Sequence, residues 1–355
     1  NNKKKVSKSL ISKKINNKIL RQSEEDLQRI SKNPILNLNK FNQKKEFKAI
    51  TKSNTQFAIR FNSFIRKNKF DTHIIDSGSW AQYGIAFSIL REMNKTVTCY
   101  GYRNDTKTIL ISNNSPFNQL DVERAWKTSK RNINISKTKN IEKLTKEVSK
   151  KEFYTKDVFL NFHTKNPLEK SKIYKELSLN KKDYIILILT NLAFDTTVLT
   201  KKTNYLFDSH FDWLHKTLDY LRVKKNCYII LRPHPAEKLT NCKMTCQKYI
   251  SKNIKGLESN FIILPSNTSI NTYGLIEVAD LGLVYSSDIG WEMIIKNKPV
   301  ISVGKGAAWG KNIQFEPNSL DEYFRKIDFF IKRKNYCISK KKIKKGKKFF
   351  KFYIE

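Results

Sequence analysis

The sequence predicts an α/β protein built from two Rossmann-like domains that face a cleft. Three observations predict it. The chain has 355 residues, more than one typical domain. Short apolar runs alternate with helical stretches in both halves, which implies parallel sheets. The hydrophobic fraction is 39% and the aromatic fraction 12%, enough for two cores and too rich for a disordered chain.

The elements follow in order. Residues 1–70 read mostly as helix, a helical region packed on the first domain. Leu10, Ile11, Ile15, Ile19, Leu20, Leu27 and Ile30 approximate one apolar face. A second helical stretch runs over 47–65. Residues 71–175 form the first Rossmann-like domain. Thr72–Asp76 is a short strand, Ser77-Gly78-Ser79 a small-residue turn, Trp80–Met93 a helix, and Thr96–Tyr100 and Thr108–Ser112 further strands. Asn118–Lys130 is a helix, and 131–152 is polar and weakly patterned. Residues 176–335 form the second domain. Tyr184–Leu189 is apolar at every position, as a central parallel strand is. A long loop, Thr190–Asp208, leads to a helix over His210–Leu221. Cys227–Leu231, Phe261–Leu264, Leu281–Tyr285 and Pro299–Val303 supply four more strands. Asn271–Ala279, Gly290–Lys296 and Ser319–Lys332 supply the helices between and after them. Residues 336–355 are a basic tail.

Charge narrows the function classes less than its size suggests. Lys and Arg number 69 against 32 Asp and Glu, a net charge of +37. The excess runs along the whole chain with abundant Asn and Ile, which is how compositional drift looks. Binding through phosphate neutralisation calls for clustered charge with interleaved aromatics or a reading helix. Only Lys340–Lys351 is clustered. It runs into Phe349, Phe350, Phe352 and Tyr353, which suits peripheral contact with an anionic membrane surface. No apolar run of about 18 residues is present, so no transmembrane helix is expected. No apolar segment of a secretory signal follows the first residues. Five cysteines, Cys99, Cys227, Cys242, Cys246 and Cys337, lack the spacing of a disulfide framework and fit a reducing, cytoplasmic compartment. Cys242 and Cys246 stand four apart without a second His/Cys pair, so no metal site is expected.

In open parallel sheets, ligands bind beyond the carboxyl ends of the strands. Three clusters lie there. Arg232-Pro233-His234-Pro235-Ala236-Glu237 is a loop stiffened by two prolines. Arg232 and His234 are donors suited to a diphosphate. In Tyr285-Ser286-Ser287-Asp288-Ile289-Gly290-Trp291-Glu292, the small residues Ser286, Ser287 and Gly290 let backbone N–H groups approach an anion at a helix start. Glu292 is placed to accept from ribose hydroxyls. Gly304-Lys305-Gly306-Ala307-Ala308 offers Lys305 and Gly306 to a phosphate. Two further loops hold candidates: Asn191 and Asp195 after the first strand of the second domain, and Asp76, Ser77, Gly78, Ser79 and Trp80 in the first. Asp76 is the candidate general base, with Ser77–Trp80 on the acceptor side. Walker and G-x-G-x-x-G spacings are absent, as are a nucleophile elbow and H-E-x-x-H.

These motifs also come in a familiar order: 190–195, then 207–214, then RPHPAE at 232–237, then Asn271-Thr272-Tyr273, then LGLVYSSDIGWEM at 281–293, then KPVISVGKG at 298–306. In that order they resemble bacterial capsule polysaccharide biosynthesis proteins, glycosyltransferases of the GT-B fold. The resemblance covers about residues 70–335 and is carried by the second domain. It implies a nucleotide-sugar donor held by the second domain and a glycan or lipid-linked glycan acceptor held by the first. It implies that Arg232, His234, Ser286 and Ser287 meet the donor phosphates, that Glu292 holds the ribose, and that Asn271 and Tyr273 line the donor pocket. The chain departs from the pattern at Asp288-Ile289-Gly290-Trp291-Glu292, where relatives tend to carry Thr-Val-Gly-Leu-Glu, and at Ala307-Ala308-Trp309-Gly310. An acid at Asp288 suits an anion-binding turn only if it points away.

The implied chemistry needs no metal and no cofactor, because basic side chains and a helix N-terminus offset the leaving diphosphate charge. Closing the cleft aligns acceptor and donor. Three rivals stay open: a teichoic-acid-type glycerophosphotransferase using a CDP-activated alcohol, a sugar-nucleotide epimerase, and a basic nucleic-acid-binding or scaffold protein without catalysis. Nucleic acid ranks last among the partners.

Overall fold

In a computed structural model the structure describes residues 11–102, 109–116, 122–129, 168–199 and 206–354. The chain divides into two compact units, Asn1–Asp121 and Val122–Glu355. The division falls well before residue 175. Trp126 and Ile173 are buried in the core of the second unit, which draws the segments around them there. The polar stretch 131–152 lies outside the described residues.

The first unit opens on a helix at Lys13–Ile30, started by Ser12, whose hydroxyl accepts from the Ile15 N–H at 3.1 Å. A long helix, Phe41–Lys67, and a third, Ala81–Glu92, pack against it around Ile11, Ile15, Ile19, Ala58, Ile85 and Ile89. The expected apolar face is only partly used. Leu20 and Ile30 are exposed at 50% and 71%, while Gln22, Ser23 and Asp26 are buried. Leu10 lies outside the described residues. The buried polar residues form a network. Asp26 accepts from Gln22 Nε2 at 3.0 Å, Asn54 Nδ2 at 3.3 Å and the Ala81 N–H at 3.0 Å. A helix of the N-terminal region thereby caps the helix that follows the first strand.

That strand, β1 (Ile74–Asp76), pairs in parallel with β2 (Thr98–Tyr102), with Ala81–Glu92 as the crossover helix. β2 then pairs antiparallel with β3 (Ile109–Asn113). The parallel pairing expected of the strand–turn–helix–strand unit holds for β1 and β2 and does not extend to β3. Six residues separate β2 from β3, too few for the dozen or so of a parallel crossover, so the chain reverses.

The second unit is a doubly wound α/β sheet of five parallel strands: β4 (Tyr184–Leu189), β5 (Cys227–Arg232), β6 (Phe261–Ile263), β7 (Leu281–Val284) and β8 (Val300–Ser302). Their spatial order is β6-β5-β4-β7-β8. Every residue of β4 is buried, because both faces of the sheet are covered. Ile185, Leu187 and Leu189 join a core with the helices Lys170–Glu176, Thr272–Val278 and Ile289–Ile295. Tyr184, Ile186 and Ile188 join the opposite core with the helices His210–Leu221, Cys246–Asn253 and Leu320–Lys332. The chain winds outward from β4 in both directions, so the winding reverses between β4 and β7.

The basic tail is not a free end. Lys340–Ile354 is a helix whose Phe349 and Phe350 are buried. Their rings meet Trp291 edge-on at centroid distances of 5.7 and 5.5 Å, and Trp126 meets Phe349 at 5.5 Å. Those aromatics serve the core of the second unit and are unavailable to a membrane. The spacing of Ile343, Gly346, Phe349, Phe350 and Tyr353 is helical, but the lysines between them hide it.

Candidate functional site

The carboxyl ends of β4 and β7 meet at the reversal of winding, where an open α/β sheet leaves its crevice. Asn191, two residues beyond β4, bridges this seam. Its Oδ1 accepts from the Ser286 N–H at 3.3 Å, and its own N–H donates to His210 Nε2 at 3.2 Å. Thr190 bridges the other side. Its Oγ1 accepts from the His234 N–H at 3.1 Å and from the Cys246 thiol at 3.4 Å. The three strand-end loops are therefore stitched through the first two residues after β4.

His234 is half-buried in the β5 loop, and its Nδ1 accepts from the Ala236 N–H at 3.1 Å. In the neutral ring the proton is then on Nε2, a donor suited to a phosphate oxygen. Arg232 behaves differently from expectation. It is buried, and its Nη1 donates to the carbonyls of Pro233 at 2.9 Å and Ser266 at 3.0 Å. The guanidinium ties the β5 loop to the β6 loop and is not presented to a ligand. Glu237 is likewise buried, and its Oε1 accepts from the Cys246 N–H at 3.0 Å. It supports the start of the Cys246–Asn253 helix instead of a donor.

In the β7 loop, Ser286 and Ser287 are half-buried, and the Ser286 hydroxyl is buried with no partner among the described residues. Two of the three expected backbone donors, the N–H groups of Ser286 and Gly290, are occupied within the unit. The Gly290 N–H donates to the Ser287 carbonyl at 3.2 Å and the Trp291 N–H to the Asp288 carbonyl at 3.1 Å. Gly290 serves packing: a Cβ there would collide with Gln314 Nε2 and approach Val284 Cγ2 to 2.9 Å. Asp288 is turned aside. Its Oδ1 accepts from Trp291 Nε1 at 3.3 Å, and Tyr353 bonds to it as well. Burial still holds its carboxyl above the usual aspartate range, these two bonds notwithstanding. Glu292 accepts from the Tyr273 hydroxyl at 2.7 Å. Tyr273 is thus a holder of Glu292, and Asn271 caps the Thr272–Val278 helix by accepting from the Tyr273 N–H at 2.8 Å. Both are buried and set the position of Glu292 from behind.

Gly306 closes the far side. A Cβ on it would lie 2.5 Å from the Ser286 carbonyl oxygen, so only glycine lets the β8 loop lie against the β7 loop. Lys305 beside it is exposed. Asp195 is exposed beyond Asn191, and its carbonyl accepts from the N–H groups of Val198 and Leu199.

The first unit presents its candidates on a strained turn. Ser77, Gly78 and Ala81 adopt φ of 57°, 66° and 47°. Asp76 is half-buried at the end of β1, whereas Ser77, Gly78 and Ser79 are buried. A Cβ on Gly78 would sit 2.7 Å from Cys99 Sγ. These three residues shape the turn, with the Ser77 and Ser79 side chains buried in the unit. Trp80 is half-buried with the Arg29 guanidinium 4.6 Å from its ring centre.

Burial shifts several carboxyls. Glu237 and Glu292 are both pushed up to about 7, chiefly by loss of water. His210 is pushed down to about 3 for the same reason, with His234 adding to it. A carboxyl raised from 4.5 to about 7 contributes stability that is full below 4.5 and lost as pH rises through about 7. Glu237→Gln removes one such contribution. Its melting temperature should fall less than that of the wild type between pH 4.5 and 7, and equal falls would contradict this assignment. His210 acts in the opposite sense, losing stability below 6.5, and cancels in the comparison.

Sequence reasoning missed Thr190 and His210. A lone histidine in the helix His210–Leu221 carries no spacing signal, and its bond to Asn191 exists only in the folded unit. Among the described residues, no group of three His, Cys, Asp or Glu side chains is placed to hold a metal ion.

The chain matches no protein-family model and no curated protein sequence. It is similar to solved structures. One is the Thermosulfurimonas dismutans KpsC beta Kdo 2,7 transferase, at 13% identity over 81% of this chain and 78% of that one, with a TM-score of 0.43. Another is the beta Kdo 2,4 transferase of the same organism, at 11% identity over 77% and 78%, with a TM-score of 0.40. A third is the UDP-GlcNAc 2-epimerase of Methanocaldococcus jannaschii, at 13% identity over 91% and 84%, with a TM-score of 0.34.

Proposed function

We propose that this chain is a glycosyltransferase that moves a sugar from a nucleotide-activated donor to a surface glycan of the capsular or lipopolysaccharide type. The observation that carries the reading is the stitched seam at the carboxyl ends of β4, β5 and β7. Asn191 and Thr190 there fix the Ser286 and His234 loops relative to each other. His234 Nε2–H and the Ser286 and Ser287 hydroxyls are the donors for the diphosphate. Glu292, held by Tyr273, is the acceptor for ribose hydroxyls. In this reading charge develops on the leaving diphosphate and is met by His234, with Lys305 at the rim, without a bound metal. Asp76, at the end of β1 in the first unit, is the proposed base for the acceptor hydroxyl. The resemblance noted in the order of the motifs supports the same reading.

The test is a product assay over UDP-, GDP-, CMP- and CDP-activated donors, with a surface-glycan extract as acceptor. The reading expects free nucleotide and labelled glycan from one nucleotide sugar, with turnover reduced in Asp76→Asn. Epimerised donor without transfer would assign the chain to the epimerases. Incorporation of glycerol phosphate from a CDP-alcohol would assign it to the glycerophosphotransferases.

A further inference from the structure

The helix Lys340–Ile354 has two unlike sides. Ile343 is half-buried, and Gly346, Phe349 and Phe350 are buried. A Cβ on Gly346 would come within 3.2 Å of Ile295, so this side lies close against the Ile289–Ile295 helix. Eight of its fifteen residues are Lys, and no acidic residue occurs from Phe329 to Ile354. Lys342 is occupied, donating to Asn312 and Gln314 with its ammonium 4.6 Å from the Phe315 ring centre. Lys340, Lys341 and Lys344 are exposed and make no side-chain bond or ion pair among the described residues. Lys332, Arg333 and Lys334, at the end of the preceding helix, are exposed as well.

We infer that this lysine corner is a docking surface for an anionic lipid bilayer, held by charge alone. The physical grounds are threefold. The apolar side of the helix is committed to the core, so it cannot insert between lipids as a free interfacial helix does. The outward cations are almost all lysine, compact point charges that match the smeared potential of an anionic leaflet. Surfaces that bind nucleic acid add stacking rings or guanidinium forks. Here Phe349 and Phe350 are buried, and Arg333 lies 5.1 Å from the ring centre of Phe329. No helix among the described residues is long and apolar enough to cross a membrane, so contact through this corner is adsorption. The inference does not depend on the reading of the strand-end site.

Co-sedimentation of the full chain with phosphatidylcholine vesicles, with and without phosphatidylglycerol, tests it. Binding is expected only with phosphatidylglycerol and is expected to vanish at high salt. The triple variant K340E/K341E/K344E should partition about a hundredfold more weakly, at about a factor of five for each lysine. The control triple K44E/K45E/K48E, on an equally exposed face of the Phe41–Lys67 helix, should bind like the wild type. Equal loss in both triples would reduce the effect to overall charge and overturn the assignment. So would absence of binding, persistence in high salt, or preferential capture of RNA lost in the first triple.

Discussion

Trp291→Ala lowers the stability of the chain by about 3–5 kcal/mol, the range for deleting a fully buried large aromatic. Trp291 is 1% exposed. Its ring faces Phe349, Phe350 and Tyr353 at 5.7, 5.5 and 6.3 Å between centroids, so its removal opens a cavity between the sheet side and the C-terminal helix. It also removes the Nε1 donor that Asp288 uses. A buried acid left with fewer donors adds to the cost. Denaturant titration followed by circular dichroism measures the loss. A midpoint unchanged from the wild type would show that the C-terminal helix is not part of the core.

Gly306→Ala leaves the fold intact and removes most of the turnover. The added Cβ would meet the Ser286 carbonyl oxygen at 2.5 Å and its carbonyl carbon at 3.2 Å. Both are backbone atoms, so no side chain can swing away to relieve the contact. The β7 and β8 loops must separate, and Ser286 is the residue that Asn191 positions. A displacement of about 1 Å at a site of transfer costs on the order of 10²-fold in rate. Steady-state kinetics with the accepted donor, alongside a melting curve, separates the two effects. Wild-type turnover in a folded Gly306→Ala chain would place the β8 loop outside the site.

The second unit was largely legible in the sequence. Tyr184–Leu189 shows six consecutive apolar residues because both faces of its strand are covered, and the structure starts and ends β4 at those residues. The strand-end loops were legible through their Pro, Gly and Ser residues. What each polar side chain does there was not. Arg232 and Glu237 lie in the strand-end loop singled out by its prolines but turn inward, because the carbonyl of Ser266 and the N–H of Cys246 come from other segments brought alongside by the sheet. Asp288 shows the converse: its awkward charge is explained only once Trp291 and Tyr353 stand beside it. In the first unit, the pattern of the Lys13–Ile30 helix misled at Gln22, Ser23 and Asp26. Buried polar residues look like surface until their partners, Asn54 and the Ala81 N–H, are known.

The central claim is that the seam at the carboxyl ends of β4, β5 and β7 binds a nucleotide-activated donor. Thermal-shift titration with UDP-, GDP-, CMP- and CDP-activated donors tests it most directly. The account predicts that one nucleotide class raises the melting temperature, and that His234→Ala and Glu292→Ala each abolish that rise while remaining folded. Stabilisation by none of the donors, or a rise preserved in both variants, would contradict it.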